Sequence, residues 1–108
     1  MKYLVTARPG TTTIKVKYGA RVFEAAKEWA KARLADGTFD CHYGTFDCHY
    51  GFSDLGALGI VNADSHEALL DAIIECPVYP FFEWEVKALC DWNHTYDKNI
   101  EYFKKLAG

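Results

Sequence analysis

Gly37 to Tyr50 reads GTFDCHYGTFDCHY, one heptapeptide written twice without a mismatch. Gly37 to Tyr43 is the first copy and Gly44 to Tyr50 the second. Phe, Cys, Tyr and Thr favour an extended chain, and the glycine opening each copy disfavours helix. Side chains on a strand alternate with period two, and seven is odd. In one regular strand Phe39, Cys41 and Tyr43 would face one way, and Phe46, Cys48 and Tyr50 the other. Both copies then cannot place the same side chains in a core. A bulge or turn near Gly44 removes the conflict. Length points the same way: a straight strand from Thr38 to Phe52 would span roughly 50 Å, whereas a domain of this size has a radius of gyration of about 13 Å. The second copy adjoins Gly51-Phe52 and the turn residues Ser53-Asp54-Leu55-Gly56, so the expectation is that it forms the ordinary strand. The first copy then becomes seven surplus residues, pairing as an added strand or swapped arm, with the bend at Gly44 taking positive φ.

Outward from the repeat, Ala20 to Ala35 is rich in Ala, Glu, Lys, Arg and Leu. Val22, Ala25, Ala26, Trp29, Ala30 and Arg33 recur with helical spacing. Gly37 stands where a left-handed residue would end that helix. Thr11 to Tyr18 reads either as strand, from the alternation of Ile14, Val16 and Tyr18, or as the helix starting near Thr13. Lys2 to Arg8 is a first strand, stopped by Pro9-Gly10. On the other side, Ala57 to Ala63 is a mostly apolar third strand. Asp64 and Ser65 are N-cap candidates, Asp64 with Glu67 resembling a capping box, for a helix that runs to about Glu75 and stops before Pro77. Pro77 to Phe81 is a stiff connector. Phe82 to Asp91 alternates Trp84, Val86, Ala88 and Cys90 with Glu83, Glu85 and Lys87, which is a fourth strand. Thr95 to Leu106 is a last helix with Tyr96, Ile100 and Phe103 on one stripe. The order is β-α-β-β-α-β plus a helix, the ferredoxin-like unit of an α+β fold. Helices on one face of such a sheet leave the other needing cover, and the many aromatic residues suggest face-to-face dimerisation.

The 108 residues suffice for one domain, residues 1–108, with a core. Half are hydrophobic, including seven Tyr, seven Phe and three Trp, which argues against disorder. A net charge of −3 without a basic cluster argues against nucleic acid as partner. No apolar run is long enough to span a bilayer, so no membrane partner is expected, and no signal peptide is visible. A cytoplasmic location follows, with the four cysteines as thiols.

Ser65-His66-Glu67-Ala68-Leu69, followed by Cys76-Pro77-Val78-Tyr79-Pro80-Phe81-Phe82-Glu83-Trp84-Glu85-Val86, resembles the muconolactone isomerase-like family. The shared pattern is a short helix, Pro-x-x-Pro-aromatic, and a strand carrying Glu-Val. Ala35-Asp36-Gly37-Thr38 fits the end of that family's first helix. The resemblance covers most of the chain when seven residues of the repeat are left out. It implies a ferredoxin-like dimeric α+β barrel, often assembled into larger rings. It also implies a small hydrophobic pocket between sheet and helices, and cofactor-free proton transfer that shifts a double bond in an unsaturated lactone. The family's carboxylate on the first helix and its tyrosine near the hairpin of the second and third strands align here with Ala26 and Leu55. Neither can carry a proton, which leaves the catalytic groups to be supplied from elsewhere.

Asp40 and His42 fall on one face of a strand, as do Asp47 and His49. Such a pair in an apolar pocket can move a proton, with His as base and Asp fixing its tautomer. The candidate catalytic groups are Asp47, His49, Tyr50 and Glu28. Trp29, Phe82 and Trp84 are candidate substrate-binding residues, though aromatic core residues look the same in sequence. No metal is assigned: the repeat holds two Cys and two His, but adjacent Cys and His point to opposite sides of a strand. No cofactor is expected. The expected ligand is a small hydrophobic or lactone-like compound, and the expected protein partner is another copy of the chain. A non-catalytic binding or assembly protein, or a cofactorless oxygenase or cyclase, fits the same architecture.

Overall fold

Helix α1 (Val16–Ala35) ends where its sequence stops supporting a helix: Asp36 is its C-cap, and Gly37 takes φ 81°. That left-handed turn is open to glycine at little cost. The computed structural model describes residues 1–108. The early strand-like alternation of Ile14, Val16 and Tyr18 loses to helix, which begins at Val16. The elements are β1 (Lys2–Pro9), α1, β2 (Phe39–Asp47), β3 (Phe52–Asn62), α2 (His66–Ile74), a 3-10 turn (Tyr79–Phe81), β4 (Phe82–Leu89) and α3 (Trp92–Ala107). Ser65 caps α2, its hydroxyl accepting from the Ala68 N–H at 3.1 Å. Asp91 caps α3 by accepting from the His94 N–H at 3.0 Å.

The strands form one antiparallel sheet in the order β2-β3-β1-β4. This is the α+β, ferredoxin-like arrangement that the element order implies. Tyr3 and Val5 of β1, Phe39 of β2 and Val61 of β3 point to one face and pack under Leu69 and Ile73 of α2. Trp29 of α1 closes on Phe39 with ring centroids 5.1 Å apart. The one phenol in this core, Tyr3, is satisfied by His66 Nδ1 at 2.7 Å.

The repeat sits differently from its sequence expectation. The first copy, not the second, takes the strand beside the core. Phe39 pairs with Val61, Cys41 with Ile60, His42 with Gly59 and Tyr43 with Leu58. The second copy prolongs the hairpin outward: Phe46 pairs with Ser53, Asp47 with Phe52, and Cys48 to Gly51 turn the chain. The period conflict is relieved as physics requires, by a register shift between Gly44 and Phe46, with a second between Phe39 and Cys41. Gly44 does this without positive φ; the left-handed glycine of the hairpin is Gly51, at φ 75°. Folding both copies into a two-stranded arm leaves no surplus loop behind α1.

Helix α3 stands apart. Every residue of it is exposed, Trp92 at 69% and Phe103 at 67% included. The projection stretches the chain to 62 × 35 × 22 Å and its radius of gyration to 17.3 Å, against about 13 Å for a compact chain of this length.

Candidate functional site

A cavity of about 190 Å³ lies between the sheet and helices α1 and α2. Sixteen of its 20 lining residues are hydrophobic, which suits a mainly apolar ligand. Its size suits one ring: an apolar protein cavity of about 150 Å³ accommodates benzene. Trp29, Phe82 and Trp84 line it, as do Phe23 and Phe39. Their positions follow from local structure. Trp84 alternates inward on β4 and is fixed by its indole N–H donating to the Tyr79 carbonyl at 3.1 Å. The proline-aromatic turn before β4 brings Tyr79 into stacking contact with Trp84 at 6.0 Å. The Trp29 indole N–H is buried and has no partner within the chain.

The polar side chains on this wall are few. His42 reaches it from β2, opposite Gly59. A β-carbon at Gly59 would meet the Cys41 carbonyl oxygen at 3.0 Å and His42 Nδ1 at 3.6 Å, so glycine lets the ring and strand lie this close. Burial holds the His42 pKa below the ordinary imidazole value, opposed in part by a hydrogen bond with the Leu58 backbone. The imidazole is therefore neutral at pH 7 and able to take up a proton. Lys27 of α1 is the cation on the lining. Cys76 lies on the same wall, but burial pushes its thiol pKa up, which makes it a poor nucleophile.

The other sequence candidates are placed elsewhere. Asp47, His49 and Tyr50 lie at the hairpin tip, and none lines the cavity. Asp47 Oδ1 accepts from the backbone N–H groups of His49 and Tyr50 at 2.9 and 3.1 Å, so it shapes the turn instead of orienting the imidazole. His49 and Tyr50 are exposed and stack edge-on at 4.8 Å. Glu28 faces solvent on α1 beside Lys31. In the first copy, Asp40 and His42 do not pair either: the bulge turns Asp40 toward Lys2 and Asn62, and those two bonds lower its pKa. The Asp–His geometry of an ideal strand is thus absent from both copies. Sequence reasoning weighed His42 only as the partner of Asp40 and passed over Lys27; the signal for His42 was the glycine that the third strand sets opposite it.

The same arrangement of strands and helices occurs in solved structures. Muconolactone isomerase superposes with a TM-score of 0.69, at 21% identity over 84% of this chain and 90% of that one. The chain has the muconolactone isomerase fold. A second neighbour is 5-chloro-2-hydroxyhydroquinone dehydrochlorinase from Burkholderia phenoliruptrix AC1100, solved with 2,5-dihydroxybenzoquinone. It has a TM-score of 0.60 and 14% identity over 87% of this chain and 98% of that one. No protein-family model and no curated protein sequence matches the chain.

Proposed function

We propose that the cavity binds a single-ring, mainly apolar metabolite and moves a proton on it without a cofactor, an unsaturated lactone being the substrate class. The observation that carries this reading is one neutral, half-buried imidazole on a mainly apolar, ring-sized wall. Both structural neighbours are named for single-ring compounds, a lactone and a substituted hydroquinone. His42 is the base. It removes a proton from the carbon next to the conjugated system, the electron pair moves toward the carbonyl oxygen, and the resulting imidazolium returns the proton at a different carbon. The Lys27 ammonium is the group available to stabilise charge developing on that oxygen. The unpartnered Trp29 N–H is a second donor for an acceptor on the ring.

The test is an ultraviolet assay of simple unsaturated lactones, in which a shifted double bond changes absorbance. Turnover that a His42→Ala, His49→Ala double variant loses by about two orders of magnitude is the expected result. A wild type that quenches tryptophan fluorescence with such lactones but never converts them would favour the non-catalytic binding module. Oxygen uptake with a hydroquinone would favour the cofactorless oxygenase.

Self-association belongs to the same proposal. The sheet face without helices presents Leu4, Leu58 and Ile60 on β1 and β3, and α3 carries an exposed stripe of Trp92, Tyr96, Ile100 and Phe103. An apolar area of this kind is typical of an interface. Light scattering at micromolar concentration should give at least a dimer, and a monomer would count against it.

A further inference from the structure

We propose that β2 has two registers seven residues apart, and that in the second register His49 replaces His42 on the cavity wall, making His49 an alternate base. The catalytic half of this inference rests on the proposed proton transfer; the structural half does not. Its first ground is the identity of the two copies. Almost everything that holds the first copy in place is made by residues the second copy repeats. Phe39 fills the core against Trp29, Asp40 meets Lys2 and Asn62, and the Thr38 carbonyl accepts from the Asn62 N–H at 2.7 Å. A slip of seven residues substitutes Phe46, Asp47 and Thr45 for these. It brings His49 opposite Gly59, where His42 now stands. Sliding by seven normally reverses a strand's faces. Here the sequence repeats with the same period, so each face is restored.

The second ground lies across the hairpin. In the slipped register Gly51 would pair with Ala57, and Phe52 to Gly56 would close the hairpin as a five-residue loop, a common length. Side-chain bonds suited to such a turn are already formed inside β3. The Ser53 hydroxyl accepts from the Leu55 N–H at 3.2 Å, and Asp54 Oδ1 accepts from the Gly56 N–H at 2.9 Å. Leu55 has φ 65°, a left-handed leucine within a strand. A bulky residue in that region is an outlier, met in turns or under strain and foreign to a regular strand. The register shift between Gly44 and Phe46 falls opposite this spot. The extended hairpin therefore carries, within β3, the bonds and the left-handed residue that a second turn would use.

The two states also balance. β2 is an edge strand with only β3 beside it, so detaching it breaks a single ladder. Phe46 is now 62% exposed and Phe39 7% exposed; slipping exchanges their roles at little net change in burial. The tip pairs of Phe46 and Asp47 are given up, as is the hydrogen bond from the Thr45 hydroxyl to Asp54. The link from α1 to β2 lengthens by seven residues, which weakens closure by roughly sixfold.

The experiment compares Phe39→Ala, Phe46→Ala and the double variant of the full chain in denaturant melts, with histidine ring signals followed by NMR. With two registers, each single variant retains a cooperative transition, because the intact copy supplies the core phenylalanine. The double variant loses on the order of a hundredfold more in folding constant than the product of the singles. In Phe39→Ala the His49 ring takes over the buried titration and His42 the solvated one. Phe39→Ala that fails to fold, or that falls as far as the double while Phe46→Ala is silent, overturns the proposal. For catalysis, His42→Ala should lower lactone turnover to the share carried by the slipped register, and adding His49→Ala should remove that remainder. A His42→Ala variant as inactive as the double overturns the assignment of His49. A wild type that converts no lactone counts against the proposed function alone, and the melts still decide the register.

Discussion

The two copies of GTFDCHY are a controlled comparison made by the chain itself. Seven identical residues meet two environments, and the outcome differs at nearly every position. Phe39 is core and Phe46 is surface. Asp40 bridges Lys2 and Asn62, whereas Asp47 organises a turn through its own neighbours' backbone. His42 lines a cavity and has its pKa lowered by burial, whereas His49 stands in solvent beside Tyr50. Side-chain identity supplies the capacity for each role. Proximity to α1 and α2, which cover β3 only where it approaches β1, decides which copy exercises it.

The largest effect should come from a core partner that has no duplicate. Trp29 packs on Phe39 and lines the cavity, and nothing elsewhere in the sequence can replace it. Trp29→Ala should cost about 3 kcal/mol of stability, read as a lower denaturant midpoint with an unchanged slope. If Trp29→Ala were as mild as the single phenylalanine variants, the core would not be organised around the first copy and its helix contact.

A second effect separates the two histidines by pH. The folded pKa of His42 lies below that of a free imidazole because the charged ring would lose solvent. The unfolded chain then binds the proton first. Stability from the neutral ring is complete above the unfolded value of about 6.5 and declines as pH falls below it toward the folded value. Melting temperature should be level from neutrality to about pH 8, where ionisation of the unfolded Cys76 thiol begins to lower it, and should drop between about pH 6.5 and the onset of carboxylate protonation, about pH 4. Asp36, Asp40 and Asp54, whose pKa values are lowered by hydrogen bonds, act only below that onset. Replacing both His42 and His49 by Gln should flatten the interval, while His49→Gln alone should leave it in place. A drop that survives the double replacement would assign the pH dependence to another group.

Much of this architecture was legible beforehand because local signals agreed with one another. The Ala-rich helical period, the glycine after Asp36, the pair of cap candidates Asp64 and Ser65, of which Ser65 is the one used, and the alternation around Trp84 each specify an element. Their order leaves few topologies. The beginning of α1 was less legible, since Ile14, Val16 and Tyr18 fit both periods. Trp29, Phe82 and Trp84 could be named as lining candidates from residue type and the family resemblance, and all three line the cavity, but the choice of histidine could not be made. Local sequence cannot distinguish identical copies. It favoured the second copy because Ser53 to Gly56 carries strong turn chemistry, and that chemistry is indeed formed, though as an irregularity inside β3. What was missing was the length of the whole hairpin, which accommodates both copies by turning at Cys48 to Gly51 instead.

The smallest effect contrasts the two glycines that open the copies. Gly37 has φ 81° and ends α1, and a β-carbon there would meet no other atom. Its cost is therefore purely conformational, and Gly37→Ala should destabilise by about 1 kcal/mol. Gly44 has negative φ, lies in β2, and its nearest neighbour to an added β-carbon is the Gly56 carbonyl oxygen at 3.9 Å, an ordinary contact. Gly44→Ala should be neutral or slightly stabilising, because alanine restricts the unfolded chain more than glycine does. Paired thermal melts of the two variants measure the difference directly. Equal losses would mean that Gly44 needs the left-handed region as Gly37 does, which its place within β2 does not ask of it.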